Sequence, residues 1–514
     1  EVAGRWGLQV NPHTSQDLWL LEPTDRTGTF TCDLRKVMNR DCPRAMLRIR
    51  TVGAPGTSVT VTSVCFLKPD GTPVEDSEEE PTIRCFGGLP VVEDLRTRFE
   101  DDNAAFDWAM RELLPGCSRD YYFHLQGWAH DLALDFAVAN QVFIYRERQE
   151  EVENVSSWNK APPRMTAISA CLNKPAYMLG WRDPEWVNVG QLSSLGDSIL
   201  CMGAPNMSFW KHVPVNGPLK MPANRTVHDP LEEKYYVVYM VGDGDTPKNL
   251  AGFHSSRSCW LDAERGSVPL SWGMPTKMLD FAPAMLEYYA RTASPVDAFF
   301  AGPSGAGYTN PTLMPDPRPY VAQTLDGMTP LGLKSIDFWD MFYRDFTATA
   351  KTFTPAGRPP VISTYFIPDS GLPPRNVWLD DGTFFVLTGG KTKDDALWCW
   401  GDLTAEDIAR RLMANAEEVE PPFFLVQYGH FPPKVLAETL SHLPEDSFQA
   451  ITVPDMERLA ADAGALTVDA DSSGIAPGTS VAVTLTVRNP GGRPGAGGRV
   501  TWDLPAGWTA PRFD

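Results

Sequence analysis

Tyr235-Tyr236-Val237-Val238-Tyr239-Met240-Val241 runs directly into Gly242-Asp243-Gly244-Asp245. An unbroken run of β-branched, aromatic and other apolar residues that stops at turn residues reads as a buried strand emptying into a polar loop. The unit recurs downstream. Pro269-Leu270-Ser271-Trp272-Gly273-Met274-Pro275 predicts a second short strand, and the apolar spacing over 277–292 predicts a helix. Asp297-Ala298-Phe299-Phe300-Ala301 predicts a third strand, which delivers Gly302-Pro303-Ser304-Gly305-Ala306-Gly307-Tyr308. Strand, polar loop, helix, strand is the repeat of α/β folds, whose sites gather at the carboxyl ends of the strands.

Outward from that core the same reading continues. Strands are expected at 176–181 and 198–210, and again at 360–370, 383–390, 423–430 and 448–454. Helices are expected over 335–353 (Ser335 to Phe353), Ala405 to Glu417 and Lys434 to His442. Eight or nine strands, most of them followed by a helix, predict a (β/α)8-type barrel over 166–462, regular or irregular. Before it, residues 1–148 show short alternating segments cut by Gly, Pro, Asp and Asn, with one helix near 106–114. That pattern predicts an N-terminal β-sandwich. Residues 149–165 are charged, then Ser/Asn/Pro-rich, and read as a linker. From 463 to 514, Val/Thr/Leu alternation with Gly-Pro turns returns. "APGTSVAVTLTVRNPG" followed by "LPAGW" resembles the immunoglobulin-like domain appended to α-galactosidases and other exported sugar hydrolases. The segment is too short for seven strands, so a partial domain is expected.

Among 514 residues the net charge is −20, which disfavours nucleic-acid backbones and anionic membranes as partners and suits a neutral ligand such as a sugar. Sixteen Trp and fourteen Tyr supply rings able to stack on sugars or fill a core. No stretch of eighteen apolar residues occurs, so no membrane helix is expected. Glu1 opens the chain without a basic or apolar leader, so any export signal is expected to have been removed or left out of this sequence. The nine cysteines contain no C-x-x-C pair. Cys32 with Cys42, and Cys65 with Cys85, are spaced closely enough to bridge.

Gly305-Ala306-Gly307-Tyr308-Thr309-Asn310-Pro311 resembles the motif that names the GxGYxYP family, which is assigned to the glycoside hydrolases. The order around it is similar too: an acidic DGD turn after a strand, a W-x-x-x-P segment, the helix "FAPAMLEYYARTA", then "GPSGAGY". Asn310 stands where the motif has a second tyrosine, and Thr246 where an asparagine is expected. The likeness follows the order of elements over 135–460 and is closest over 235–315. It implies a carbohydrate-active enzyme with a carbohydrate substrate, while export is what the resemblance of the C-terminal segment to an appended immunoglobulin-like domain implies.

Glycoside hydrolysis needs two carboxyl groups across the scissile bond, one protonating the leaving oxygen and one attacking carbon or activating water. Asp243 and Asp245, two residues apart, face the same way in an extended backbone. Asp369 ends "TYFIP" in a similar position. These three are the expected catalytic carboxylates. Asp183, Glu185 and Trp181 follow the first barrel strand and are candidate substrate contacts. So are Tyr308 and Asn310 in the glycine loop, Trp272 as a stacking ring, and His430 at the end of "FFLVQYGH". Each also has a plain structural reading: loop acid, helix cap or core ring. No cofactor is required. The alternative is a Ca²⁺ or Mg²⁺ ion near Asp243 and Asp245, since close carboxylates are hard oxygen ligands. A metal-dependent carbohydrate deacetylase is disfavoured because it needs paired histidines. A phosphate loop and a nucleophile elbow are excluded, since neither G-x-x-x-x-G-K-[ST] nor G-x-S-x-G occurs in the loop. The rival class is a non-catalytic glycan-binding protein on a hydrolase-like scaffold.

Overall fold

The computed structural model describes the strand backbones at 5–9, 17–21, 48–52, 362–366 and 398–400, together with residues 72, 93, 95, 98–125, 133–147, 157–182, 184–200, 207–242, 250, 259–339, 353, 374–379, 383–388, 394–397 and 403–464. The expected immunoglobulin-like segment beyond 464 and both proposed cysteine pairs lie outside these residues. The chain divides into two compact units, Glu1–Asp102 and Asn103–Asp514. In the first, β1 (Arg5–Gln9), β2 (Asp17–Leu21) and β3 (Arg48–Val52) form an antiparallel sheet in the order β2-β1-β3.

The second unit is α/β from its start. β4 (Tyr121–His124), β5 (Phe143–Tyr145), β6 (Tyr177–Gly180) and β7 (Ser198–Ile199) make a sheet ordered β5-β4-β6-β7, parallel throughout. The expected β-sandwich over 1–148 therefore does not extend through 103–147. "YYFH" and "FIY" are strands, but the six-residue helix Leu134–Ala139 crosses between them and turns the pair parallel. An aromatic strand three or four residues long carries no mark of its partner's direction, which is why the sequence read as part of a β-sandwich. Similarly, the expected strand over 198–210 is two residues of β7 and, after an interval outside the described residues, a helix at Met207–Trp210.

The remaining strands are β8 (Tyr235–Val241), β9 (Leu270–Gly273), β10 (Asp297–Phe300), β11 (Ser335–Trp339), β12 (Ile362–Phe366), β13 (Arg375–Trp378), β14 (Phe384–Leu387), β15 (Trp398–Trp400), β16 (Phe423–His430) and β17 (Phe448–Ile451). One sheet runs β10-β9-β8-β16-β15, with β17 also on β8, and a second runs β11-β12-β14-β13. All pairs are parallel except β13 with β14. β8 is buried over six of its seven residues. That is the pattern of a central parallel strand covered on both faces, and it explains why its sequence shows no alternation.

A single parallel bridge, Ala301 to Ile336, carries the first sheet to the second. At the far side, the Asn376 amide of β13 grips Phe424 of β16: Nδ2 donates to the Phe424 carbonyl at 2.9 Å, and Oδ1 accepts its N–H at 2.8 Å. No backbone ladder joins these edges among the described residues, so the expected closed (β/α)8 barrel is corrected to a mixed α/β fold of parallel sheets. The cause is visible at β8. A barrel strand has one neighbour per edge, but here one edge of β8 is shared by β17 (along 235–238) and β9 (along 240–241). The extra strand interrupts the even stagger that closure demands.

The first five residues of the stretch expected as a helix over 335–353 are strand β11. It is preceded by a helix, Arg318–Leu331, that ends at Gly332 in the left-handed conformation (φ 70°). None of the described helices is long and apolar enough to cross a membrane.

His124, the last residue of β4, is fully buried. Loss of hydration, and then the nearby Arg182 charge, push its imidazole down from 6.5 to about 3. The folded chain therefore holds His124 neutral, while the unfolded chain protonates it below 6.5. Its contribution to stability is complete above pH 6.5 and is lost as pH falls from 6.5 through about 3, at up to about 1.4 kcal/mol per pH unit. Urea unfolding between pH 7 and pH 4 should show this slope in wild type, and a shallower one in His124→Phe.

Candidate active site

Strand β10 delivers the glycine loop, and the loop is fastened from three sides. Ser304 N–H donates to the Gly307 carbonyl at 2.9 Å. The Ser304 hydroxyl donates to the Thr309 carbonyl at 2.7 Å and accepts the Trp339 N–H at 3.0 Å. The Tyr320 hydroxyl accepts the Gly307 N–H at 2.9 Å and lies 2.7 and 2.9 Å from the carbonyls of Gly307 and Ser304, one of which takes its proton. Tyr308 pairs with Ile199 of β7 through two backbone hydrogen bonds of 2.9 Å. Thr309 Oγ1 lies 2.8 Å from Ser193 Oγ. The loop thus couples the N-terminal parallel sheet to β10 and β11. Two glycines are required by this closeness. Gly305 has φ +100°, and a Cβ there would meet Thr324 Cγ2 at 2.6 Å; a Cβ on Gly307 would lie 2.8 Å from the Ile199 carbonyl.

An aromatic group stands beside the loop. The ring of Tyr308 meets Trp339 edge-on at 5.1 Å, and Trp339 meets Tyr428 at 5.6 Å. A carboxylate is attached on each side. The Tyr308 hydroxyl donates to Glu185 Oε1 at 2.7 Å, and Trp339 Nε1 donates to Asp337 Oδ2 at 3.0 Å. Asp337 and Trp339 are two apart on β11 and so share a face of the strand. Asp337 is 1% exposed, whereas Glu185, in the first turn of the helix Glu185–Ser194, is exposed. Backbone closes in around them: a Cβ on Gly302 would lie 2.9 Å from the Asp337 Cβ, and one on Gly242 would lie 2.5 Å from the Tyr428 hydroxyl. Gly242 directly follows β8 and precedes Asp243. Rings, two carboxylates and close-approaching glycines therefore meet at the carboxyl ends of β8, β10, β11 and β16, where α/β folds place their chemistry.

Residues 233–371 match the GxGYxYP C-terminal domain. The family's description reads "GxGYxYP putative glycoside hydrolase C-terminal domain", and the matched span runs from β8 through β12. Among solved structures, the chain is similar to a protein from Bacteroides thetaiotaomicron VPI-5482 described as "a putative hydrolase". The two share 19% identity over 70% of this chain and 68% of that one, with a TM-score of 0.56, a likeness of fold. No protein of curated function matches.

Within the GxGYxYP segment and its surroundings, Asp243, Asp245, Asp369 and Asp183 lie outside the described residues, as does the side chain of His430. Glu185 and Tyr308 are brought into direct contact. Asn310 is fully buried, its N–H donating to Ser193 Oγ at 2.9 Å. Trp272 is 1% exposed, edge-on to Trp260 at 5.0 Å, with Nε1 donating to Asp297 Oδ1 at 2.9 Å at the start of β10. It sits in the core. Trp181 is also buried, with its carbonyl 3.4 Å from His124 Nδ1. Sequence reasoning missed Asp337, Trp339 and Tyr428. The first two were hidden in the segment read as a helix. The signal for them was Gly332, a helix stop three residues before a run that resumes the strand–helix–strand unit. Among the described residues no group of three or more His, Cys, Asp or Glu side chains is arranged to hold a metal ion.

Proposed function

We propose that this chain hydrolyses O-glycosidic bonds at the carboxyl ends of β8 to β12. The observation that carries the reading is the Tyr308–Trp339 pair with Glu185 bound to one ring and Asp337 to the other. The rings, 1% and 3% exposed, form an apolar backing for the two carboxyl groups, and carboxyl groups in such surroundings are what glycosidic cleavage requires. The match of residues 233–371 supports the same class.

In this reading Asp243, Asp245 and Asp369 supply the proton donor and the nucleophile or base, as their places after β8 and β12 suggest. Glu185, held by Tyr308, binds a sugar hydroxyl at the rim. Carboxyl groups about 5–5.5 Å apart would retain anomeric configuration, and a gap of about 6.5–9.5 Å would invert it. Export to meet a polymeric substrate is part of the proposal.

The test is sugar release from plant, fungal and bacterial polysaccharides and from aryl glycosides. Wild type would be run beside Asp243→Asn, Asp369→Asn and Tyr308→Phe, each checked for native folding. We expect release by wild type and a loss of about 10²–10⁴ in kcat for whichever aspartate transfers the proton. Tyr308→Phe should act mainly through KM. Release untouched by both aspartate changes would remove those residues from the mechanism. Glycan binding without release would assign the chain to the binding class instead.

A further inference from the structure

A second group of polar side chains collects where β4, β5 and β6 end. β4 closes with His124, β5 with Tyr145, and β6 runs into Trp181 and Arg182. His124 and Tyr145 meet edge-on with ring centroids 5.0 Å apart, and the charge of Arg182 is felt by His124, Tyr122 and Tyr145 alike. All are interior: Arg182 is 1% exposed, Tyr145 6%, and His124 and Asn188 0%. Arg182 Nη2 donates to Gln191 Oε1, and Gln191 Nε2 lies 2.9 Å from the carbonyls of both Ser157 and Lys160. Asn188, three positions before Gln191, shares that face of the helix.

The remaining hydrogen-bonding capacity is unused. Among the described residues nothing accepts from Arg182 Nε or Nη1, and neither the Asn188 side-chain amide nor the Tyr145 hydroxyl has a partner. Glu147 is near enough for its charge to act on both Arg182 and Tyr145, and its Oε1 takes the Met165 N–H at 2.8 Å; among the described residues no ion pair joins it to the guanidinium. A buried donor with no acceptor is costly, and more so when it is charged. Guanidinium N–H groups are satisfied best by negatively charged oxygens. Three kinds of donor, one of them cationic, with few acceptors define the complement: a small, oxygen-rich anion.

We infer that Arg182, Asn188 and Tyr145 form a binding site for an oxyanion group (carboxylate, sulfate or phosphate) at the carboxyl end of the N-terminal parallel sheet. The site is built on different strands from the glycine loop and does not depend on glycoside hydrolysis.

Thermal unfolding of the full chain in sodium phosphate, sodium sulfate or sodium glucuronate, against sodium chloride at equal ionic strength, tests it. Binding to the folded state alone should raise Tm saturably, by about 2–4 °C, with at least one oxyanion. A rise with glucuronate only would point to a sugar acid, and a rise with all three to a free anion. Arg182→Met should abolish the response, and Tyr145→Phe should move its midpoint several-fold higher. Because Arg182→Met places methionine among buried polar groups, Asn188→Asp is the second variant, and its added negative charge should raise the midpoint at least tenfold. No rise beyond chloride, or a midpoint unchanged in both Tyr145→Phe and Asn188→Asp, would overturn the inference.

Discussion

Asp337→Asn is expected to lower kcat of the released-sugar reaction by about 10²–10³ while leaving the chain folded and KM little changed. Asparagine keeps the size of the side chain and can still accept the Trp339 Nε1 proton through Oδ1, so the 3.0 Å contact has a replacement. What disappears is a carboxyl group, and with it the capacity to carry a charge or a proton, in a buried site beside Trp339 and the backbone of Gly302, where any charge acts much more strongly than in solvent. Asp337→Leu removes the acceptor as well and should additionally cost about 1–3 kcal/mol of stability, since Trp339 loses its partner in a buried position. Steady-state kinetics on the best substrate, with urea unfolding of both variants, separates these effects. If Asp337→Asn turns over like wild type, Asp337 has no part in the reaction.

Gly305→Ala should be among the most damaging small changes in the chain, at about 2–4 kcal/mol. Two penalties coincide there. The residue has φ +100°, which an L side chain resists, and the new methyl would meet Thr324 Cγ2 at 2.6 Å on the helix Arg318–Leu331. Gly307→Ala, whose methyl would press on the Ile199 carbonyl, should cost about 1–3 kcal/mol. Gly116→Ala meets nothing within 4 Å and should stay within about 0.5 kcal/mol, which makes it the control. Denaturant midpoints for the three variants rank them directly. Equal midpoints would mean that the loop yields where its contacts say it is fixed.

The strands that carry the site were legible wherever the chain states both a strand and its end. β8 announces itself by seven apolar residues and a Gly-Asp turn; β9, β10, β12, β14 and β16 do so nearly as clearly. β11 was not legible. Ser335 to Trp339 is covered on both faces and so lacks a period of two, while the aromatic residues after it fall at spacings a helix would also show. The carboxylate that lies deepest in the described site was therefore assigned to the wrong kind of element. Barrel closure is a second case. Counting strands gave a number suited to a barrel, but the position of β17 on the β9 edge of β8 is a relation between segments about 180 residues apart in the chain, and no local pattern encodes it. At the site itself, the partnership of Glu185 with Tyr308 spans 123 residues, so the sequence named both members without pairing them.

The loop that carries the family's motif has a further consequence. Gly305 and Gly307 let the backbone turn tightly, and Tyr308 gives its N–H and carbonyl to Ile199, so most of the motif's atoms are committed to a rivet between two sheets. The Tyr308 ring is 1% exposed and edge-on to Trp339, and its hydroxyl is held by Glu185, so the exposed Glu185 carboxylate is what the joint presents to a ligand. A chain that preserves these glycines has preserved a joint, and the joint would hold equally well in an active or an inert protein. Asn310 fits this division, because a residue sealed inside the joint can change type without altering the surface a sugar would meet. Activity is then decided by carboxylates contributed from either side of the rivet, and the motif alone reports assembly rather than reaction.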